Sequence, residues 1–488
     1  MNIAFAGSEA APFSKTGGLG DVLGALPKAL AKRGHEVVVF LPAHRETKQH
    51  LENAERLTIR VPTPDGDAEA SLAVLSGPKG LRWCFVEEPT RFDRSGPYVD
   101  LDGRDFADNS DRYAFFCRAV LKGLEALHFT PALVHAHDWQ TGLLGAYFKS
   151  GWAPGLRDPA VVFTIHNLAF QGVFDFEQWR GVMLPDSMRG LDGLEYYGRV
   201  SHLKAGLVCA DLMTTVSPRY AQEIQTPEFG CGMDGLLRHL SHRLVGIVNG
   251  IDDEVWNPET DAHLPTNYGV KNWRDGKATN KKALENTLRL KDVAKRPLIA
   301  MIGRLALQKG FDLLASVADE VIERGANLAV LATPGSIDLE GPLRHLAHRR
   351  PEHVFVKFAL DERLAHRLFG AADVMVVPSR FEPCGLTQLY GMRYGAVPVA
   401  RTIGGLADTV VDAHPTTLSM GVANGFVFER ASPGALNVAL QRAMVAMENE
   451  KLWGQVVECG MKRESGWDHV SQAYEAAYED AIGRRGKR

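Results

Sequence analysis

Short apolar runs recur along this chain, and a helical pattern separates most of them. "IAFAG" (3–7), "EVVVFLP" (36–42), "ALVHAHD" (132–138) and "AVVFTIHN" (160–167) come first, and "ADLMTTVSP" (210–218) and "LVGIVNGID" (244–252) extend the series. Strands that alternate with helices belong to a parallel sheet covered on both faces. Between the first two runs, Val22, Leu23, Leu26 and Leu30 fall on one helical face of the stretch Asp21 to Arg33, and Gly34 ends it. Pro27 lies inside this stretch and predicts a kink or a split first turn.

A second set begins near Pro297. "PLIAMIGRL" reads as a strand and "KGFDLLASVADEVIERG" as a helix, followed by the strands "LAVLA", "VFVKFA", "VMVVPS" and "VPVA". The chain has 488 residues, too many for one core. The expected architecture is therefore α/β, with two doubly wound, Rossmann-like domains facing a cleft. The expected boundaries are 1–246, 247–465 and 466–488, with a hinge between about 247 and 295. The last segment contains an amphipathic helix, "HVSQAYEAAYEDAIG", expected to cross back onto the first domain, and a basic tail.

Composition excludes several classes. A net charge of −4 without a long Lys/Arg block argues against nucleic acid. Six cysteines with no C-x-x-C pair argue against a disulfide framework or a zinc site and fit a reducing compartment. No apolar run approaches the ~20 residues of a membrane span, and the N-terminus has no signal-peptide pattern. The expectation is a soluble cytoplasmic protein that uses no membrane.

Ligands of open α/β sheets bind beyond the carboxyl ends of the strands. "FSKTGGLGDV" (13–22) follows the first strand and opens a helix. Its glycines allow close backbone approach, and its free N–H groups with Lys15 could cradle an anion; a structural turn is the alternative. "SRFEPCGLTQLYG" (379–391) is its counterpart in the second set, with a helix expected from about Gly385. The N–H groups of Leu386 and Thr387 would then point at a diphosphate, and Glu382 could bind sugar hydroxyls or act only as a favourable N-terminal charge. "GRLALQKG" (303–310) places Arg304 and Lys309 after another strand, where two cations suit a departing diphosphate or stay solvated. "HAHDWQ" (135–140) invites a metal reading, but "FTIHN" adds only His166. A polar rim for sugar hydroxyls accounts better for Asp138, Trp139, His166 and Asn167, with His135 and His137 as structural histidines.

Taken together, these stretches, with "DNSDRYAFFCRA", "VNGID" and "GGLADTV", resemble the bacterial glycogen synthase and plant starch synthase family, whose two-domain fold is called GT-B. The resemblance runs from residue 3 to about residue 480. It implies glucosyl transfer from ADP-glucose to the non-reducing 4-hydroxyl end of an α-1,4-glucan such as glycogen, with retention, no metal and no cofactor. It implies catalytic roles for Glu382, His166, Arg304 and Lys309. Donor binding would fall to Lys15, Gly18, Gly385, Leu386 and Thr387. Glu9, Asp21, Tyr98, Asp138, Trp139, Asn167 and Asn249 would line the sugar and acceptor cleft. Two departures from the family pattern, "TPGS" (333–336) and Ala359–Leu360, lie where the base and ribose would be, and leave ADP-glucose against UDP-glucose open. An inactive glucan-binding homologue is a further alternative, as is a phosphorylase-like or metal-dependent hydrolase.

Overall fold

The computed structural model describes residues 1–156 and 158–487. It divides into two compact units, Met1–Val216 with Ala221–Gly250 and Trp467–Arg488, and Ser217–Tyr220 with Ile251–Gly466.

The first unit is built on a nine-stranded sheet. In chain order its strands are β1 (Asn2–Ala6), β2 (Glu36–Pro42), β3 (Glu55–Thr63), β4 (Gly66–Ser76), β5 (Leu81–Glu87), β6 (Leu133–His137), β7 (Ala160–Ile165), β8 (Leu212–Thr215) and β9 (Leu244–Gly246). Their spatial order is β9-β8-β7-β6-β1-β2-β5-β4-β3. All pairs are parallel except β3–β4 and β4–β5. The antiparallel edge was absent from the sequence expectation, although "TPDGD" (63–67) carries a hairpin signal and Gly66 takes φ +113° there. The strands β6 and β7 are buried along their whole length, as expected of strands covered on both faces.

One of the covering helices is α1 (Gly18–Lys32). It runs unbroken through Pro27, which corrects the expected split. Most of α1 is buried, including Pro27 itself, so packing holds the helix where one backbone hydrogen bond is missing.

The second unit has a six-stranded parallel sheet of β10 (Leu298–Arg304), β11 (Asn327–Thr333), β12 (Val354–Phe358), β13 (Val374–Val377), β14 (Val397–Arg401) and β15 (Phe426–Phe428). Its order is β12-β11-β10-β13-β14-β15. Residues 251–295 are not a free hinge, contrary to the sequence expectation. They carry the helix α2 (Trp273–Ala283) and are built into this unit. The Trp256 ring stacks between His366, at 3.9 Å, and Tyr390, at 4.0 Å. Asp261 accepts hydrogen bonds from Tyr394 at 2.6 Å and from His366 at 2.7 Å. Lys277 is buried, and its Nζ donates to the carbonyls of Tyr394 (2.9 Å), Phe369 (3.2 Å) and Gly370 (3.4 Å). Polar anchors such as these are invisible to hydrophobic periodicity.

The helix α3 (Phe311–Glu323) follows β10, the short helix α4 (Thr387–Arg393) follows β13, and α5 (Trp467–Arg485) closes the chain. The helix α5 returns to the first unit. Tyr474 and Tyr478 join the core of Ile3, Leu26 and Leu30, and Arg33 grips Glu475 through two hydrogen bonds of 2.6 and 2.8 Å. The division into units falls after Gly250 and after Gly466. Gly250 lies against Trp467, where an added Cβ would sit 2.9 Å from the indole.

Replacing Lys277 by Ala removes the donor shared by three buried carbonyls and leaves a cavity. Lys277→Ala is expected to lower the stability of the second unit by about 2–4 kcal/mol, read as earlier thermal unfolding by calorimetry. An unchanged transition would show that 251–295 is not anchored through this residue.

Candidate functional site

In each sheet the chain reverses its direction of growth beside the first parallel strand. The strand β1 has β2 on one side and β6 on the other, and β10 has β11 on one side and β13 on the other. The crevices beyond β1/β6 and β10/β13 are therefore the places where these sheets can take a ligand.

Beyond β1 stands Glu9, buried at 2% exposure. Its carboxylate accepts hydrogen bonds from Thr16 N (2.7 Å), Thr16 Oγ1 (2.6 Å), Gly17 N (3.2 Å) and Gly20 N (3.2 Å). Gly17 is the N-cap of α1 and has no side chain to offer, so Glu9 caps the helix from a distance. Burial pushes the Glu9 carboxyl up, against the pull of these hydrogen bonds. The glycine-rich loop does wrap an anion, and that anion is the protein's own. Both oxygens of Glu9, the residue expected to line the sugar cleft, are engaged with the loop. Lys15 Nζ lies 2.6 Å from Asp21 Oδ1, so two residues expected in different roles form one ion pair. Gly18, the first residue of α1, is exposed.

Beyond β6 and β7 stand Asp138 and His166. Asp138 takes φ +56°, an uncommon conformation for a residue with a Cβ. Its carboxylate accepts a hydrogen bond from His166 N at 2.7 Å, and burial pushes its pKa up to about 7. The rings of His166 and His137 meet Nε2 to Nδ1 at 2.9 Å. His135 lies 2.9 Å from the Tyr478 hydroxyl and 2.6 Å from Thr164 Oγ1. The facing nitrogens of His137 and His166 are thus engaged with each other, and among the described residues no three His, Cys, Asp or Glu side chains gather as a metal would require. Tyr98 is half-buried, with its hydroxyl 2.6 Å from Ser8 Oγ. Asn167 is half-buried and accepts from Ala169 N at 3.1 Å. Asn249 is buried, and its Oδ1 has no hydrogen bond among the described residues. Trp139 is buried against Tyr113 and Phe174, and a Cβ on Gly172 would lie 2.6 Å from its ring. Trp139, expected in the acceptor cleft, is thus held by aromatic packing and keeps 8% exposure.

Beyond β10 and β13 the structure gathers the expected charges. Lys309 Nζ donates to both oxygens of Glu382, at 2.7 and 2.9 Å. Ser379, which sequence reasoning missed, donates to the same carboxylate at 2.7 Å. Glu382 is buried, so its charge is held in place by these partners. Arg304 ends β10, is exposed, and among the described residues has no hydrogen bond or ion pair. The helix α4 begins at Thr387 with Leu386 as N-cap, two residues later than expected. Gly385 occupies the left-handed region at φ +73°, and the Gln388 amide donates to its carbonyl at 2.8 Å. Gly405 packs so closely here that a Cβ would sit 2.0 Å from the Cys384 carbonyl. The turn 333–336 is tied to the residue that follows β10 by a hydrogen bond from Ser336 N to the Leu305 carbonyl at 2.9 Å. Leu360 is 82% exposed.

Two Rossmann-like units, each with charged side chains at the carboxyl ends of its central strands, are the parts of a glycosyltransferase of the GT-B fold. Residues 2–239 match the starch synthase catalytic domain family, and residues 287–455 match glycosyl transferases group 1. The chain is 43% identical to a glycogen synthase of Dechloromonas aromatica, over 99% of each chain. It is 42% identical to glycogen synthase 1 of Methylococcus capsulatus, over 99% of this chain and 97% of that one. The catalytic domain of starch synthase IV from Arabidopsis thaliana, solved with ADP and acarbose, superposes with a TM-score of 0.90 at 32% identity and 99% coverage of both chains. The chain belongs to the glycogen synthase and starch synthase family of glycosyltransferases. No helix among the described residues is long and apolar enough to cross a membrane.

Burial sets the acid response of the first unit. It pushes His44 down to about 4 and His166 and His202 to about 3, and holds His135 and His137 well below their usual value. These imidazoles bind a proton near pH 6.5 only once unfolded. Their contribution to stability is intact above pH 6.5 and is lost as pH falls toward 3–4. Asp138 and Glu9, whose folded values are raised, work in the opposite sense, with a contribution present at low pH and lost as pH rises through those values. The five imidazoles outnumber the two carboxyls, so unfolding near pH 5 takes up protons on balance. The urea midpoint of the first unit is expected to drop steeply between pH 7 and pH 5. A flat profile would mean that these histidines are not buried neutral.

Proposed function

We propose that this chain transfers glucose from ADP-glucose to the 4-hydroxyl at the non-reducing end of an α-1,4-glucan, with retention, in glycogen synthesis in the cytoplasm. The observation that carries the reading is the set of charges at the ends of β10 and β13: a bidentate Lys309–Glu382 pair, and Arg304, which ends β10 exposed and with its side chain unpaired among the described residues. A leaving diphosphate gains negative charge as the glycosidic bond breaks, and preorganised cations stabilise it. Arg304 is the side chain with an uncommitted charge for that purpose, and Lys309 is held by Glu382. The backbone N–H groups at Leu386 and Thr387 would supply further donors to the diphosphate. Full-length relatives named glycogen synthase and the ADP in the starch synthase IV structure support the donor and the acceptor. Free cysteines in a scattered arrangement support a reducing compartment.

Retention requires either a covalent intermediate or attack on the face the diphosphate leaves. Both oxygens of Glu382 are engaged by Lys309, and one also by Ser379. A carboxylate so occupied is a poor nucleophile, so the reading favours front-face attack, with Glu382 holding the donor sugar. Asp138, His166, Tyr98 and Asn167 are assigned to sugar hydroxyls.

Incorporation of labelled glucose into glycogen, with ADP-glucose and UDP-glucose compared, tests the reading. Turnover is expected with ADP-glucose, and Arg304→Ala is expected to lower kcat by about 10²-fold while the protein stays folded, since the side chain is solvent-exposed. No transfer from either donor would overturn the function, preference for UDP-glucose would overturn the donor, and a wild-type rate in Arg304→Ala would remove that residue from the site.

The resemblance assigns Lys15 to the same donor. Lys15→Gln is expected to raise the donor KM or lower kcat by about 10- to 100-fold in total, the scale of one hydrogen bond to a charged group, with glucan affinity unchanged. If donor kinetics are unaltered, Lys15 serves only to pair with Asp21.

A further inference from the structure

The contact between His137 and His166 determines which ring nitrogen of His166 is left for a ligand. Both rings are buried, and burial keeps both imidazoles neutral. A hydrogen bond between two neutral imidazoles contains one N–H, and two arrangements are available to this one. If His166 Nε2 carried the proton and donated to His137 Nδ1, the proton of His137 would sit on its own Nε2. That atom is buried and has no partner among the described residues, and an orphaned buried N–H is rare and costly. If His137 Nδ1 donates instead, the orphan is a bare lone pair and the proton of His166 resides on Nδ1. The second arrangement places the unpartnered N–H on His166 Nδ1, at the partly exposed side of the pair, and leaves the fully buried His137 Nε2 as a lone pair.

We propose that His137 is a positioning residue that locks His166 in the Nδ1–H tautomer, so that His166 presents a hydrogen-bond donor, and not a lone pair, at the end of β7. His166 Nδ1 has no hydrogen bond among the described residues, and the residue keeps 9% exposure. The rest of the pocket fixes the geometry from behind. Phe5 stacks on the His137 ring at 18° and 5.8 Å. The His135 ring lies 4.0 Å from that of His137 and is itself held between Tyr478 and Thr164. Asp138 holds the backbone of His166. His166 therefore cannot turn its ring to exchange the two nitrogens without breaking the His137 contact. A fixed donor fits a sugar hydroxyl oxygen, or an oxygen that gains negative charge during transfer, and it does not fit a general base.

The catalytic significance of this lock rests on the reading of His166 as a transferase residue; the tautomer itself does not. Two arms separate them. The first is long-range 1H–15N correlation on the full chain labelled at histidine, with His166 assigned by the loss of its signals in His166→Gln. The expected result is a protonated Nδ1 and a bare Nε2 in the resting wild-type protein; a protonated Nε2 would overturn the proposal. The second arm compares His137→Leu, which deletes the donor, with His137→Asn, which returns an amide N–H near the Nδ1 position. His137→Leu is expected to lower kcat about tenfold, the scale of one hydrogen bond, with the donor KM within about threefold, and to shift His166 toward the Nε2–H form. His137→Asn is expected to recover most of kcat and the Nδ1–H form. Equal kcat in the two variants would overturn the positioning role. Absence of turnover in the wild-type chain would count against the functional reading alone, because the spectra are read without substrate.

Discussion

Two parallel strands cannot be joined by a tight turn; the chain must first cross back over the sheet. Each connection therefore returns to the same edge, and all carboxyl ends of β1, β6, β7, β10 and β13 collect polar loops there. Glu9, Asp138 and His166 share one such edge, and Arg304, Lys309 and Glu382 share the other. Lys309 and Glu382 are 73 residues apart in the chain, yet the sheet brings them within hydrogen-bond reach. The sheets grow outward in both directions from β1 and β10, so a crevice opens beside each of those strands.

Within that frame, buried charges are the elements that discriminate structure from site. Glu9, Lys277 and Glu382 are all buried and all carry full sets of partners, as a buried charge must. Glu9 and Lys277 use backbone groups of the same unit and so serve as anchors: one holds the loop before α1, the other holds 251–283 to the sheet. Glu382 differs in that its partner Lys309 is partly exposed and an unpaired Arg304 belongs to the same loop.

Much of the fold was legible in the sequence. "EVVVFLP" is a strand over the residues expected, Glu36–Pro42, because an unbroken apolar run of that length can only be satisfied between two covering layers. Gly34 and Gly325 end helices as expected, both with positive φ. The hairpin β3–β4 was not read, since few of its residues are buried and its alternation is weak. The segment 251–295 reads as a polar linker, and its burial comes from hydrogen bonds of Tyr268, Lys277 and Asp261 to groups more than 90 residues away.

The sequence by itself determined the residue types at the strand ends, the two α/β sets and the resemblance that names the family. It could not determine which of those residues face each other. Lys15 and Asp21 stood as a donor ligand and a cleft residue until the first turn of α1 brought them to 2.6 Å. The glycine loop promised an anion, and only the folded chain showed that the carboxylate of Glu9 is the one it holds. The proton of His166 depends on His137, 29 residues earlier, through a contact that exists only once β6 and β7 are paired. Local propensity sets elements and caps, because those energies act within a few residues. Hydrogen bonds between distant side chains depend on where the sheet places them, and that is decided by the packing of the whole unit.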